Sequence, residues 1–299
     1  MFVRAMVPAT SANLGPGFDC FGLALNLHNT LTVVSGPFQI MLTGRYSEGI
    51  SLTEDNLVWQ TMLRLWREIG FAPPSVTLTL ENNIPPARGL GSSSAAIAAG
   101  LAAANVWAGT PLTPLELLQL ATDIEGHPDN VTPAFFGGVT LAVPTTEGIL
   151  PRILAQAPKL RAIAIVPSVP LRTQKARGVL PAAVPRADAV YNIAHASLVV
   201  EAFLREDYAL LREGMQDRLH QDQRAALITG MAPALEAALR AGAFGAALSG
   251  SGPTLLALVK PAAEVGVAEA MLRTFAEQCL EAEAFYLDID SAGTRVEQG

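Results

Sequence analysis

The stretch "PPARGLGSSSAA", Pro85 to Ala96, sets two prolines, two glycines and three serines directly ahead of an alanine-rich run of helical character. Before it, "SVTLTL" (75–80) alternates as a half-buried strand, and beyond it a helix is expected from about 93 to 107. Strand, glycine loop and helix make one unit. The glycines let backbone N–H groups turn inward, and the helix start adds unpaired N–H donors at the positive end of its dipole. Such a unit suits a polyphosphate, with the serine hydroxyls free to bond phosphate or ligate magnesium. The competing reading is purely local: Pro-Pro and Gly turn the chain and start the helix. The loop is not a P-loop, because the lysine of that motif is missing, and its glycine spacing is not that of a Rossmann fingerprint. A nucleophile elbow centred on Ser93 would need glycine where Ala95 stands.

Around this unit the chain reads as alternating helices and strands. "LVWQTMLRLWREIG" (57–70) carries apolar residues at helical spacing and ends on a glycine. A further helix is expected from Pro114, with Thr113 as N-cap, and "GGVTLAVP" (137–144) reads as a strand, as do 2–7 and 30–34. After residue 145, "EGILPRILAQAPK" reads as a turn-rich connector and "LRAIAIVPSVP" (160–170) as a fresh buried strand. Helices are predicted over 189–205, 207–219 and 231–241. They are followed by a strand, turn and strand over 243–259, a helix over 263–278 and a strand over 283–289. The strict βαβ alternation of a doubly wound sheet is absent, so the expected class is α+β, in two halves meeting near residue 150.

Two more loops carry polar chemistry. "DIEGHPDN" (123–130) gathers Asp123, Glu125, His127 and Asp129 between strongly apolar flanks. It reads either as a solvated turn or as a carboxylate site holding Mg²⁺ against phosphates, since hard cations take oxygen ligands. His127 lacks the i+4 histidine of a zinc helix. "LSGSGPT" (248–254), between two apolar strands, is read as a hairpin turn that supports the first glycine loop from the second half of the chain.

Composition bounds the function. With 299 residues, half of them hydrophobic and 16% charged, the chain has ample material for a folded core. A net charge of −7 and scattered Lys and Arg argue against a nucleic-acid partner. The apolar runs are too short to span a bilayer, and the first residues lack a signal-peptide pattern, so neither a membrane partner nor secretion is expected. Two distant cysteines, Cys20 and Cys279, suit a reducing cytoplasm and exclude a disulfide framework.

Three motifs stand in order: "PATSANLGPGFDCFGLAL" (8–25), "PPARGLGSSSAA" (85–96) and "SGSGPT" (249–254). Together they resemble the signature motifs of the GHMP kinase superfamily, and "EGHPDNV", "TQKAR" and "QRAALITG" extend the likeness over essentially the whole chain, most closely to its homoserine kinase branch. The resemblance implies an N-terminal ATP-binding domain (1–152) like ribosomal protein S5 domain 2 and a ferredoxin-like C-terminal domain (153–299). It implies ATP with Mg²⁺, L-homoserine as acceptor, and the homodimers common in the family. The ATP site would comprise Asn56 at the adenine and the run Pro85, Pro86, Ala87, Arg88, Gly89, Leu90, Gly91, Ser92, Ser93, Ser94 and Ala95. Ser93 and Glu125 match the magnesium positions, and Asn13, Asp19, Asn130, Thr173, Arg177 and Arg224 match the homoserine contacts. Catalysis would rest on Asn130, Glu125, Ser93 and Arg177. Mevalonate kinases carry an aspartate where Asn130 stands, and asparagine cannot take a proton, so the implied mechanism is positioning and charge stabilisation rather than base catalysis, with Asp129, one residue away, as the alternative base. The alternatives are a kinase of another small alcohol, such as threonine or mevalonate, and a non-catalytic ATP-binding regulator on the same fold. RNA binding on an S5-like domain is disfavoured by the charge.

Overall fold

A computed structural model describes all residues from Met1 to Gly299. The first half runs β1 (Phe2–Ala12), β2 (Phe21–Ser35), β3 (Gln39–Thr43), α1 (Leu57–Glu68), β4 (Val76–Glu81), α2 (Ser92–Trp107), α3 (Pro114–Glu125), α4 (Val131–Phe136), β5 (Val139–Thr145) and β6 (Gly148–Ala155). The second half begins with β7 (Arg161–Pro167), α5 (Thr173–Gly178) and α6 (Arg186–Arg205). A 3-10 turn at Tyr208–Leu210, α7 (Leu211–Gly214), α8 (Gln221–Ala225) and α9 (Met231–Arg240) follow. β8 (Gly245–Leu248), β9 (Leu255–Val259), α10 (Glu264–Ala276), β10 (Ala282–Asp288) and β11 (Arg295–Gln298) complete the order.

Seven strands form the first sheet, in the order β11-β1-β2-β4-β3, with the β5–β6 hairpin attached to β2. Only β3 and β4 pair in parallel. α2 is the axle of this half. Eleven of its residues from Ser94 to Asn105 are buried, because a run of alanines lets neighbours approach from every side. α1 approaches over Gly100, where a Cβ would lie 2.9 Å from the Val58 carbonyl oxygen, and Trp66 donates its indole N–H to the Ala104 carbonyl at 3.1 Å.

The second sheet is antiparallel, in the order β10-β7-β9-β8. With helices between β7 and β8 and α10 between β9 and β10, this is the ferredoxin-like arrangement. Period-2 alternation gives β7 two buried faces. Ala162, Ala164 and Val166 join the large core shared with the first half, while Ile163 and Ile165 pack under α9 and α10. The α+β class and the ferredoxin-like second half expected from the sequence are what the chain adopts. No helix is long and apolar enough to cross a membrane.

Several local expectations need correction. The connector at 147–159 is largely β6, which pairs with β5. Pro151 hides the strand pattern and is tolerated because β6 is an edge strand. The helix predicted over 207–219 is only a 3-10 turn followed by the four residues of α7. β1 and β2 are far longer than the segments 2–7 and 30–34, so the first motif consists of two strand ends and the turn between them. The division at 152/153 cuts through β6, and β11 returns to the first sheet beside β1.

Candidate active site

The three motifs meet in space. Gly91 caps α2 in the left-handed region at φ 68 with no side-chain cap, so the first N–H groups of α2 remain free for a ligand. Leu90 accepts from the Thr10 N–H at 3.0 Å, which ties the loop to the end of β1. The 249–254 loop holds the other side. Ser249 Oγ donates to the Gly89 carbonyl at 2.5 Å, the Thr254 N–H to the Arg88 carbonyl at 3.2 Å, and the Gly250 N–H to the Ala12 carbonyl at 3.1 Å. The supporting role read from the sequence for this loop is its geometry here.

Glu125, the last residue of α3, reaches back to the start of α2. Its Oε1 accepts from Ser93 Oγ at 2.7 Å and Ser94 Oγ at 2.8 Å, a cluster of hard oxygen donors beside the free N–H groups. On the other side of Asn130 lies a charged group. Arg177 pairs bidentately with Asp19, at 2.6 and 3.1 Å. Asp129, 2% exposed, accepts from His127 Nδ1 at 2.5 Å. Asp19, His127 and Asp129 each place one ligand atom within 4.8 Å of the others. Asn130 Oδ1 accepts from Thr10 Oγ1 at 2.8 Å and its amide nitrogen donates to Asp129 Oδ1 at 3.4 Å, leaving one amide N–H for donation. Asn13, at φ 73, gives Nδ2–H to the Gly250 carbonyl at 3.0 Å and takes the Asp19 N–H at 3.1 Å.

Arg224 is 2% exposed and lies deeper. It donates to the Ala176 carbonyl at 3.2 Å and the Gly250 carbonyl at 2.9 Å, with His220 Nδ1 at 3.3 Å. His220 Nε2 faces the Gly15 carbonyl at 2.9 Å, which can only accept, so Nε2 carries the proton and Nδ1 receives from Arg224. Burial pushes His220 below the usual histidine range, and burial followed by repulsion from Arg177 lowers Arg224. His127 moves the opposite way. Burial lowers it, but its bond to Asp129 and the charges of Asp129 and Glu125 raise it more. A histidine raised in the folded state contributes stability that is complete below its unfolded value, about 6.5, and lost as pH rises through the higher folded value. His127→Gln is therefore expected to lower Tm most below about pH 6.5 and progressively less above it, as thermal melts of both proteins across pH will show.

These groups line one cleft of about 510 Å³ between the halves. It takes in Asn13, Asp19, Asn56, Pro86 through Ser93, Glu125, Asn130, Thr173, Arg177 and Arg224, all singled out from the sequence. Pro85 faces a neighbouring groove instead, and Ser94 and Ala95 are buried in α2 behind the lining. Asn56 sits at the wall, but its side chain caps α1, accepting from the Val58 N–H at 2.9 Å and donating to the Ser51 carbonyl at 2.7 Å. The sequence reading left out Ser51, Asp55, Gly250, Ser251 and Arg172, which also line the cleft. The "SLTED" run ahead of α1 was the available signal for the first two. Asp55 Oδ1 accepts from both Ser51 and Thr53 hydroxyls at 2.5 Å, which lowers its pKa.

Comparison with known proteins agrees with this arrangement. Residues 56–138 match the GHMP kinases N terminal domain and residues 199–278 the GHMP kinases C terminal family. A homoserine kinase of Desulfitobacterium hafniense is 55% identical over 98% of this chain and 99% of its own length. One from Carboxydothermus hydrogenoformans is 42% identical over 97% and 95%. The crystal structure of homoserine kinase from Cytophaga hutchinsonii superposes with a TM-score of 0.89 at 28% identity, over 99% of this chain and 97% of that one. An L. major mevalonate kinase structure shares the fold at TM-score 0.72 and 16% identity, over 97% of this chain and 96% of that one. With both domain families matched and relatives this similar over nearly the full length, the chain belongs to the homoserine kinase family of the GHMP kinases.

Proposed function

We propose that the protein transfers the γ-phosphoryl group of ATP to the side-chain hydroxyl of L-homoserine, giving O-phospho-L-homoserine and ADP. The observation that carries this reading is a single cleft with two chemically distinct ends. One end offers free helix N–H groups and a serine–carboxylate cluster, and the other offers paired acidic and basic side chains that match the charges of a zwitterion. The free thiols Cys20 and Cys279 support placing the reaction in the cytoplasm.

The phosphate chain lies along Gly89 to Ser93, where the backbone donates. The Ser93, Ser94 and Glu125 oxygens fit a hard divalent cation, and Mg²⁺ held there would neutralise charge on the phosphoryl oxygens. Homoserine is a zwitterion, and Arg177 with Asp19 already forms the complementary pair. Its carboxylate takes the place of Asp19 against Arg177, and its ammonium the place of Arg177 against Asp19, so the charges exchange one for one. Asn130 donates an amide N–H to the acceptor oxygen and holds its lone pair towards phosphorus. The hydroxyl oxygen forms a bond to the γ-phosphorus, the bond to the β,γ-bridging oxygen breaks with its electron pair on ADP, and the hydroxyl proton leaves through a phosphate oxygen. On this reading Asp129 is not the base, its buried Oδ1 being engaged by His127 Nδ1, and the Asp129→Asn variant tests the point.

An ADP-release assay across homoserine, threonine, mevalonate and galactose tests the reading; turnover of another alcohol without homoserine-dependent release would overturn it. Arg177→Ala is expected to raise KM for homoserine about thirty- to hundredfold while ATP binding stays nearly intact, the size of one lost charge-assisted contact. Arg224→Ala is expected to do the same and also to lower Tm, since it removes the side-chain donor to the buried Ala176 carbonyl and leaves the Gly250 carbonyl with Asn13 alone. Steady-state kinetics and melting curves on both variants separate the two effects.

A further inference from the structure

Four arginines line the cleft: Arg88, Arg172, Arg177 and Arg224. Three are committed. Arg177 holds Asp19 and Arg224 holds two carbonyls, while Arg88 donates to the carbonyls of Pro86, Ala87, Pro167 and Ser168. Arg172 alone has no protein acceptor, so all five of its guanidinium N–H groups are unspent. Its backbone is fixed where this matters. The preceding residue, Leu171, donates its N–H to the Ala87 carbonyl of the phosphate loop at 3.0 Å. The following residue, Thr173, has its hydroxyl 3.3 Å from Ser251 in the supporting loop. A flexible cation is thus anchored between the two loops that enclose the phosphates.

We propose that Arg172 is a catalytic residue that closes over the nucleotide and donates to the γ-phosphoryl oxygens during transfer, an assignment that rests on the kinase reading above. The chemistry favours arginine there. Negative charge spreads over the oxygens of the transferred group and the leaving β-phosphate, and a planar fork can donate to both without accepting a proton. Electron bookkeeping is unchanged: the oxygen–phosphorus bond forms, the bridging bond breaks onto ADP, and Arg172 only stabilises the charge. No other arginine of the cleft is free for this, and the Glu125 carboxylate of the serine cluster makes an added positive charge more valuable near the phosphates.

The test is Arg172→Ala and Arg172→Lys in the full-length protein, with Lys175→Ala as control one turn away, outside the cleft lining. Loss of one preorganised donor is expected to lower kcat about a hundredfold, with KM for homoserine within about twofold. Arg172→Lys should recover part of the rate. Titration calorimetry reads the contact without turnover: Arg172→Ala should weaken ATP about tenfold more than ADP, which lacks the γ-phosphate. A kcat within twofold of wild type, or equal weakening of ATP and ADP, overturns the assignment. Failure of the kinase reading itself would show separately, as wild-type protein with no homoserine-dependent ADP release.

Discussion

Glu125→Gln is expected to lower kcat by about 10²- to 10³-fold at saturating ATP and magnesium, with the fold intact. The substitution keeps the size of the side chain and an oxygen for the Ser93 and Ser94 hydroxyls, but removes the negative charge that fits a divalent cation. The loss should fall on kcat, because charge on the phosphoryl oxygens is greatest in the transition state. Asp129→Asn is the matched comparison. It breaks the buried pair with His127, so some loss of Tm and a higher KM for homoserine are expected, with kcat reduced less than about tenfold. Both proteins need circular dichroism to show that they fold, then kcat against pH. If Asp129→Asn is instead the dead variant and abolishes the acidic limb of the wild-type pH–rate profile, a carboxylate base operates and the base-free mechanism is wrong.

Gly89→Ala should be more damaging still. Gly89 has φ +74, and a Cβ there would lie 2.2 Å from the Ser249 carbonyl oxygen and 3.0 Å from the Gly252 N–H nitrogen. Both neighbours are backbone, so the side chain cannot be accommodated by a rotamer change. It must drive the phosphate loop away from the supporting loop of the second half. Strain and overpacking together should cost about 3 kcal/mol of stability. ATP affinity and kcat should collapse together, because the N–H donors lose their geometry. Gly109→Ala separates conformational strain from the clash: Gly109 also has positive φ, at +87, but nothing lies within 4 Å. That variant should lose about 1 kcal/mol and keep its activity, as melts and ADP release will report.

The phosphate loop and its helix are legible in sequence because everything that defines them is local. Turn residues, strand alternation and an unbroken alanine run lie within a few turns of one another. The acceptor end is not local. Asn13 and Asp19 meet Arg177 and Arg224 only after the second sheet has packed on the first, and no periodicity announces such a contact, so those residues came from the family resemblance. α5 and α8, with six and five residues, are too short for an apolar stripe to appear. β11 is invisible for another reason: "RVEQ" is exposed throughout and is held by backbone pairing and the Arg295–Asp290 bond, with no apolar pattern to betray it. Arg172 carries no sequence signal at all, since what distinguishes it is the absence of a partner.

The return of β11 to β1 bears on how the molecule is made. β1 leaves the ribosome long before β11, so one of its edges stays open until residues 295–298 are synthesised, and the Gly299 carbonyl then accepts from the Phe2 N–H at 2.8 Å. The turn leading into β11 is pinned at Asp290, which is bonded to His28 and Arg295, so the same late segment locks β2. Until then the nascent first half presents a bare strand edge on which other chains can pair. The β1 edge is therefore safe from aggregation only once residues 295–298 have emerged, and a chain released before them would leave that edge exposed.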